Sequence, residues 1–169
     1  MAEAPENPFW SFSIKVYAAP GVAAECLRLQ DTAGADVNIL LFCAWLGWER
    51  RIALTRPDID AIAAKAGTWQ ASVVAPLRAV RRFAKSAASE AFHRQAAALE
   101  LEAERHEQDL LLAFSQAKWG SGAHDDPCTA MGDNITLYLS GLDNFDAPGG
   151  ALSDLLRKAL RAEVSAPGA

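Results

Sequence analysis

Cysteine is scarce in this sequence, and what there is stands apart. Cys26, Cys43 and Cys128 are the only three in 169 residues. No CxxC and no Cys/His pair with metal-ligand spacing occurs, so no zinc site is readable. Cys26 and Cys43 lie in apolar patterns and read as small core fillers. An excess of positive charge is missing as well. The net charge of -5 opposes attraction of the whole domain to nucleic acid and leaves only a local basic patch to consider. Long apolar runs are absent: the longest, Ile39 to Leu46, is too short to span a bilayer. The opening MAEAPENPFW has neither the basic nor the apolar region of a signal peptide. These absences set the expectation of a reduced, cytoplasmic protein with no membrane partner. Catalytic templates are lacking too. There is no GxSxG, no P-loop, no GxGxxG and no DDxxD. Asp31 and Asp36 stand five apart across a turn, which cannot place two ligands on one helical face.

What is present is ordinary for a globular chain. Hydrophobic residues make up 51% and charged residues 22%, and the length suits one domain, 1–169, around a single core. Residues 1–7 and 165–169 are expected to be flexible ends. No alternating pattern competes with the helical periodicity, so the fold class is all-α, a single-domain bundle of six or seven helices.

The punctuation is explicit. Asn7-Pro8 is a side-chain cap followed by proline at the first helical position, opening a helix to about Ala18 that buries Phe9, Phe12 and Val16. Pro20 opens a second helix, and Gly34 closes it. Asp36 caps a third, over about 36–48, which is apolar on nearly every side and is therefore the central helix. Thr55-Arg56-Pro57-Asp58 starts a fourth. Gly67 and Pro76 predict a break or kink after it. One long helix follows over about 89–118, with Phe92, Ala96, Leu99, Ala103, Leu110 and Phe114 as its apolar stripe. Asp126-Pro127 begins another, to about Leu142. Asp146 to Gly150 is a loop, and Ala151 to Val164 a last amphipathic helix.

The run FWSFSIKVYAAPGVAAECLRLQDTAGADVNILLFCAWLG contains the blocks FW-x-FS-x3-Y, PGV, CL-x-LQD and G-x-DVN-x-LLF. With the later LELEAERHEQDLL, it resembles an uncharacterised proteobacterial family of unknown function. The resemblance implies a small cytoplasmic bacterial protein and brings no activity with it.

Three groups of residues are candidates for chemistry. The first surrounds the start of the central helix. Asn38 points the same way as Trp45, into the driest part of the fold, and a buried amide there needs partners or costs about 1–3 kcal/mol. Gln30 and Asp31 are its nearest polar candidates in sequence, with Glu100 and Glu104 facing from the long helix. The cluster is either a hydrogen-bonded helix corner or a polar ligand pocket made of Gln30, Asp31, Asn38, Trp45, Glu100 and Glu104. The second group, His93, Glu100, Glu104 and Glu107, lies along one side of the long helix. A di-metal site would need two Glu-x-x-His motifs, and only Glu90 to His93 matches, so no metal and no cofactor is assigned. His106 reads as a hydrogen-bonded packing histidine beside the apolar stripe. The third group is Arg78, Arg81, Arg82 and Lys85, at i, i+3, i+4 and i+7 on one helix face. Such a face can hold an acidic protein partner or a phosphate backbone, or it can pair with Glu100 and Glu104 on the next helix. No aromatic interleaves it, which weakens the nucleic-acid version.

With no catalytic constellation present, the sequence is read as a non-catalytic helical binding or adaptor module with a protein partner. The rival is a small-molecule-binding protein or enzyme built on the Asn38 cluster. A nucleic-acid role through the four basic residues is the weaker alternative.

Overall fold

In the computed structural model, residues 7–120, 122–143 and 150–164 are described. The expected ends (apart from Asn7) and nearly all of the expected loop before Gly150 lie outside them. Helix α1 (Pro8–Tyr17) starts as its sequence dictates. The Asn7 side-chain oxygen accepts from the N–H groups of Phe9 and Trp10 at 2.9 and 3.0 Å, satisfying donors that the first turn leaves open. The Asn7 amide nitrogen donates to Asp109 at 2.6 Å, tying the start of α1 to the long helix. Helix α2 (Val22–Ala33) begins two residues after Pro20. Its end is the expected one: Gly34 has a φ of 68°, and the N–H of Ala35 reaches back to the Leu29 carbonyl at 3.3 Å.

Helix α3 (Val37–Trp48) is capped by Asp36, whose carboxylate accepts from the N–H of Asn38 at 2.9 Å. Every residue from Asn38 to Gly47 is buried. This is the central helix, and its closest neighbour is α7 (Pro127–Leu139). Gly47 makes the approach possible. A Cβ placed there would lie 2.4 Å from the Met131 Cα, so the two backbones touch with no side chain between them. Helix α7 ends three residues earlier than its pattern suggests, in a turn through Leu142.

Around Gly67 and Pro76, where a break or kink is expected, the helix changes type but does not end. Helix α4 (Arg56–Trp69) continues through a π-helical turn, Gln70–Val74, into α5 (Ala75–Ala87). The N–H of Ala75 bonds the carbonyl of Gln70. Proline lacks an N–H and its ring crowds the carbonyl one turn back. The wider turn just ahead of Pro76 relieves both problems without ending the helix. It also inserts one extra residue, which rotates the following faces by about 100°. With α4, the π turn and α5 counted as one rod, the described residues form seven helices and no strand. The protein is an all-α bundle.

Helix α6 (Glu90–Lys118) is 29 residues long and runs back along α5. Here the expected apolar stripe is corrected. Phe92 and Leu99 are exposed, and the buried face carries Ala96, Glu100, Ala103, Glu107, Gln108, Leu111 and Ser115. Of the six expected residues Ala96 and Ala103 are buried and Leu110 and Phe114 half-buried, so periodicity found part of the face and missed its polar members. Beyond α6, the N–H groups of Gly122 and His124 donate to the carbonyls of Arg50 and Arg51 at 2.9 and 3.1 Å. Helix α8 (Gly150–Val164) lays Leu152, Leu156 and Leu160 on the core. Among the described residues no helix is long and apolar enough to cross a membrane.

Candidate functional site

A cleft of about 360 Å³ opens where α6 and α5 face the corner formed by α1, α2 and α3. Helix α1 contributes Trp10, Ser13, Ile14 and Tyr17, which fall on one face of it, while Phe9, Phe12 and Val16 turn to the core. Leu27 and Gln30 come from α2, and Val37, Asn38 and Leu41 from the start of α3. Opposite them stand Arg78 and Arg81 of α5 and Ala97, Glu100, Leu101, Glu104 and Gln108 of α6. Ile14, Leu27 and Leu101 are all exposed, so the rim is apolar while much of the floor is polar.

The floor is a network of ion pairs. Arg78 donates through Nε to Glu100 at 3.1 Å and through an Nη to Glu104 at 2.9 Å. Arg81 donates through Nε to the other oxygen of Glu100. Glu100 is only 5% exposed, and a carboxylate so buried persists only when neighbouring cations and donors replace its water. The π turn matters here, because it sets the register of α5 before Arg78 and Arg81 meet α6. Trp69, the last residue of α4, donates its indole N–H to the Ala103 carbonyl at 2.9 Å and holds that turn against α6.

Behind this floor lies a second network. Asn38 donates from its amide to Glu107 at 3.0 Å and accepts from the Gln108 amide at 2.8 Å. Glu107 is fully buried. Burial comes first among the causes that push its carboxyl up to about 9, followed by the charge of Asp36 and a hydrogen bond to it; Asn38 opposes the shift. Glu107 is therefore protonated at neutral pH. The backbone N–H of Asp36 donates to the Tyr138 hydroxyl at 2.9 Å, which anchors the pair to α7. Burial also raises Glu104 above the ordinary carboxylate range against the pull of Arg78. Tyr17 is raised by burial as well.

Two polar atoms in the cleft wall are left over. The Ser13 hydroxyl and the Gln108 side-chain carbonyl oxygen are buried without a hydrogen-bond partner among the described residues. Ser13 is 3% exposed and Gln108 2%.

The structure redistributes the sequence candidates. Gln30, Asn38, Glu100 and Glu104 do line one cleft, and Arg78 and Arg81 join them there. Asp31 does not; it sits on the surface, paired with Arg82 at 2.8 Å. Trp45 does not either. Its ring packs in the core against Phe42 and Phe9, with centroids 5.9 and 5.6 Å away. The partners of Asn38 are Glu107 and Gln108, not Gln30 and Asp31. Arg78, Arg81, Arg82 and Lys85 do not form one free basic face, since the first two turn inward to Glu100 and Glu104. His106 is exposed and packs at a tilt of 53° against Trp69, with centroids 4.4 Å apart. Glu90 pairs with Arg94 at 2.7 Å. Among the described residues no three His, Cys, Asp or Glu side chains converge as metal ligands.

A model of one family, "Protein of unknown function (DUF2390)", matches residues 8–111, well over half of the 169. The chain belongs to the DUF2390 family. Every residue that lines the cleft falls within the matched DUF2390 stretch, whereas α7 and α8 lie beyond it. No curated protein matches the chain. No solved structure matches it either.

Sequence reasoning missed Trp10, Ser13, Tyr17, Leu27 and Gln108. The signal for the first three was available. Trp10, Ser13 and Tyr17 are the polar or amphipathic members of FW-x-FS-x3-Y, at i, i+3 and i+7 on one helix face. Gln108 follows Glu104 by one turn and extends the acidic side of α6.

Proposed function

We propose that this DUF2390 protein is a non-catalytic binding protein whose ligand is a small amphipathic molecule held in the cleft. The observation that carries this reading is the pair of unpartnered buried atoms, Ser13 Oγ and Gln108 Oε1, in the wall of a space large enough for a ligand. Buried polar groups are nearly always satisfied, and leaving one unpaired costs about 1–3 kcal/mol. A ligand head that bonds them offsets that cost, and its apolar body lies against Trp10, Ile14, Leu27 and Leu101. The test is a ligand-observed NMR screen of small amphipathic compounds against wild type and Ala97→Phe, which fills the cleft. Hits that vanish in the variant, with its melting temperature retained, support the reading. Either an absence of hits or hits that survive in Ala97→Phe overturn it.

A second reading, a protein-binding module, draws on the α5–α6 hairpin. Phe83 is 75% exposed there, and Val80, Phe92 and Leu99 are exposed as well. Single apolar side chains are ordinary on a surface, and they mark an interaction surface where they adjoin. The occupant tested is a second copy of the chain. Sedimentation of wild type against Phe83→Glu decides it: a dimer lost in the variant supports the reading, and a wild-type monomer at all concentrations removes it.

A further inference from the structure

The polar atoms left open in the cleft are not a random mixture, and their direction is set from behind. Glu107 accepts from the Asn38 amide through one of its carboxyl oxygens. Asn38 is thereby turned with its carbonyl oxygen toward Gln108, which must donate its own amide to it. That leaves the Gln108 carbonyl oxygen as the end of the relay that no protein group meets. One helical turn away, Glu104 spends one carboxylate oxygen on Arg78. The guanidinium donors nearest the floor are committed to Glu100 and Glu104. Arg78 and Arg81 balance those two carboxylates. Gln108 Oε1 and the Glu104 oxygen not bonded to Arg78 are therefore acceptors on residues that line the same cleft. Tyr17 adds an aromatic wall of the kind that suits a cation, as does Trp10, whose ring already has the Arg105 guanidinium 5.5 Å from its centroid.

We propose that the ligand of this cleft carries an ammonium head, donated to Gln108 Oε1, Glu104 and Ser13 Oγ, on an apolar body. This rests on the small-molecule reading above and names its ligand class. An anionic head would lie beside the carboxylates of Glu100 and Glu104 and would find no donor at Gln108 Oε1. A hydroxyl head has one donor and meets at most one of the open acceptors as a donor.

Three probes of equal length separate the cases: hexylammonium, 1-hexanol and hexanoate, titrated into the full chain by calorimetry or by tryptophan fluorescence. The expected result is a preference of at least about tenfold for hexylammonium, since a hydrogen bond to a charged group exceeds a neutral one by roughly that factor. Glu104→Gln keeps the shape of the side chain and is expected to lose about tenfold in hexylammonium affinity, with a clearly smaller change for 1-hexanol. Gln108→Leu should lose at least as much, and its melting temperature shows whether it folds. Equal binding of the three probes, or preference for hexanoate, overturns the ammonium assignment while the cleft remains a binding site. No binding of any probe to wild type, together with an empty compound screen, overturns both.

Discussion

The two ends of α3 are built on opposite principles. At its C-terminal end, Gly47 lies directly on the backbone of Met131, and the contact is dry and decided by shape. At its N-terminal end, Asn38 reaches Glu107 and Gln108, and the contact is decided by hydrogen bonds. One helix, buried along its whole length, thus serves as structural axis at one end and as the back wall of a cleft at the other. The lesson is that burial alone does not separate core from site. The kind of atom that is buried, and whether it has a partner, does.

The sharpest way to break the dry end is Gly47→Ala. The new methyl would meet Met131 backbone atoms at 2.4 Å, and backbone cannot step aside without moving α7. The expected loss is about 3 kcal/mol, partly offset by the better helix propensity of alanine, and urea unfolding measures it. At the polar end, Arg78→Met removes the cation that serves both Glu100 and Glu104. Arg81 still covers Glu100 in part, so the expected loss is about 2 kcal/mol rather than the 3–5 of a fully orphaned buried charge. A variant as stable as wild type would show that the floor is solvated, not buried.

The third prediction sharpens the contrast through pH. The folded pKa of Glu107, about 9, lies above its ordinary value of 4.5. Between those values the folded state holds a proton that the unfolded state has released. Stability from this group is therefore full at low pH and is lost as pH rises toward 9. Glu107→Gln keeps both hydrogen-bonding ends without the proton. Its stability is expected to be flatter from pH 6 to pH 8.5 and about 1 kcal/mol above wild type at the upper end, by thermal melts across that range. Gly47→Ala should leave the pH slope of the wild type unchanged, which separates the two ends in one measurement. The smallest effect belongs to the surface. Arg82→Ala breaks an exposed pair with Asp31 and should cost less than about 0.5 kcal/mol, falling further at high salt.

Much of this architecture is legible in the chain because its signals are local. Asn7-Pro8, Gly34, Asp36 and the start at Thr55 act through bonds within a few residues, and each marks a helix end where the sequence places it. Pro76 shows where local reading stops. Its effect depends on whether the helix has neighbours to hold it, and α6, through Ala103 and Trp69, supplies them. The same limit explains the α6 stripe. Periodicity identifies a buried face only when that face is apolar, and here Glu100 and Glu107 are buried because Arg78, Arg81, Asp36 and Asn38 meet them.

From the sequence alone, the helical class, the central place of α3, the long α6 and the oddity of Asn38 were determined, since propensity, capping and uniform hydrophobicity are properties of short stretches. The tertiary structure alone decided that Asn38 pairs with residues 69 and 70 positions away. It also turned Arg78 and Arg81 into a cleft instead of a surface, sent Trp45 to the core, and left Ser13 and Gln108 with unspent hydrogen bonds. These are outcomes of which charged and polar groups meet across helices, and that meeting is set by packing geometry, which no single stretch of sequence contains.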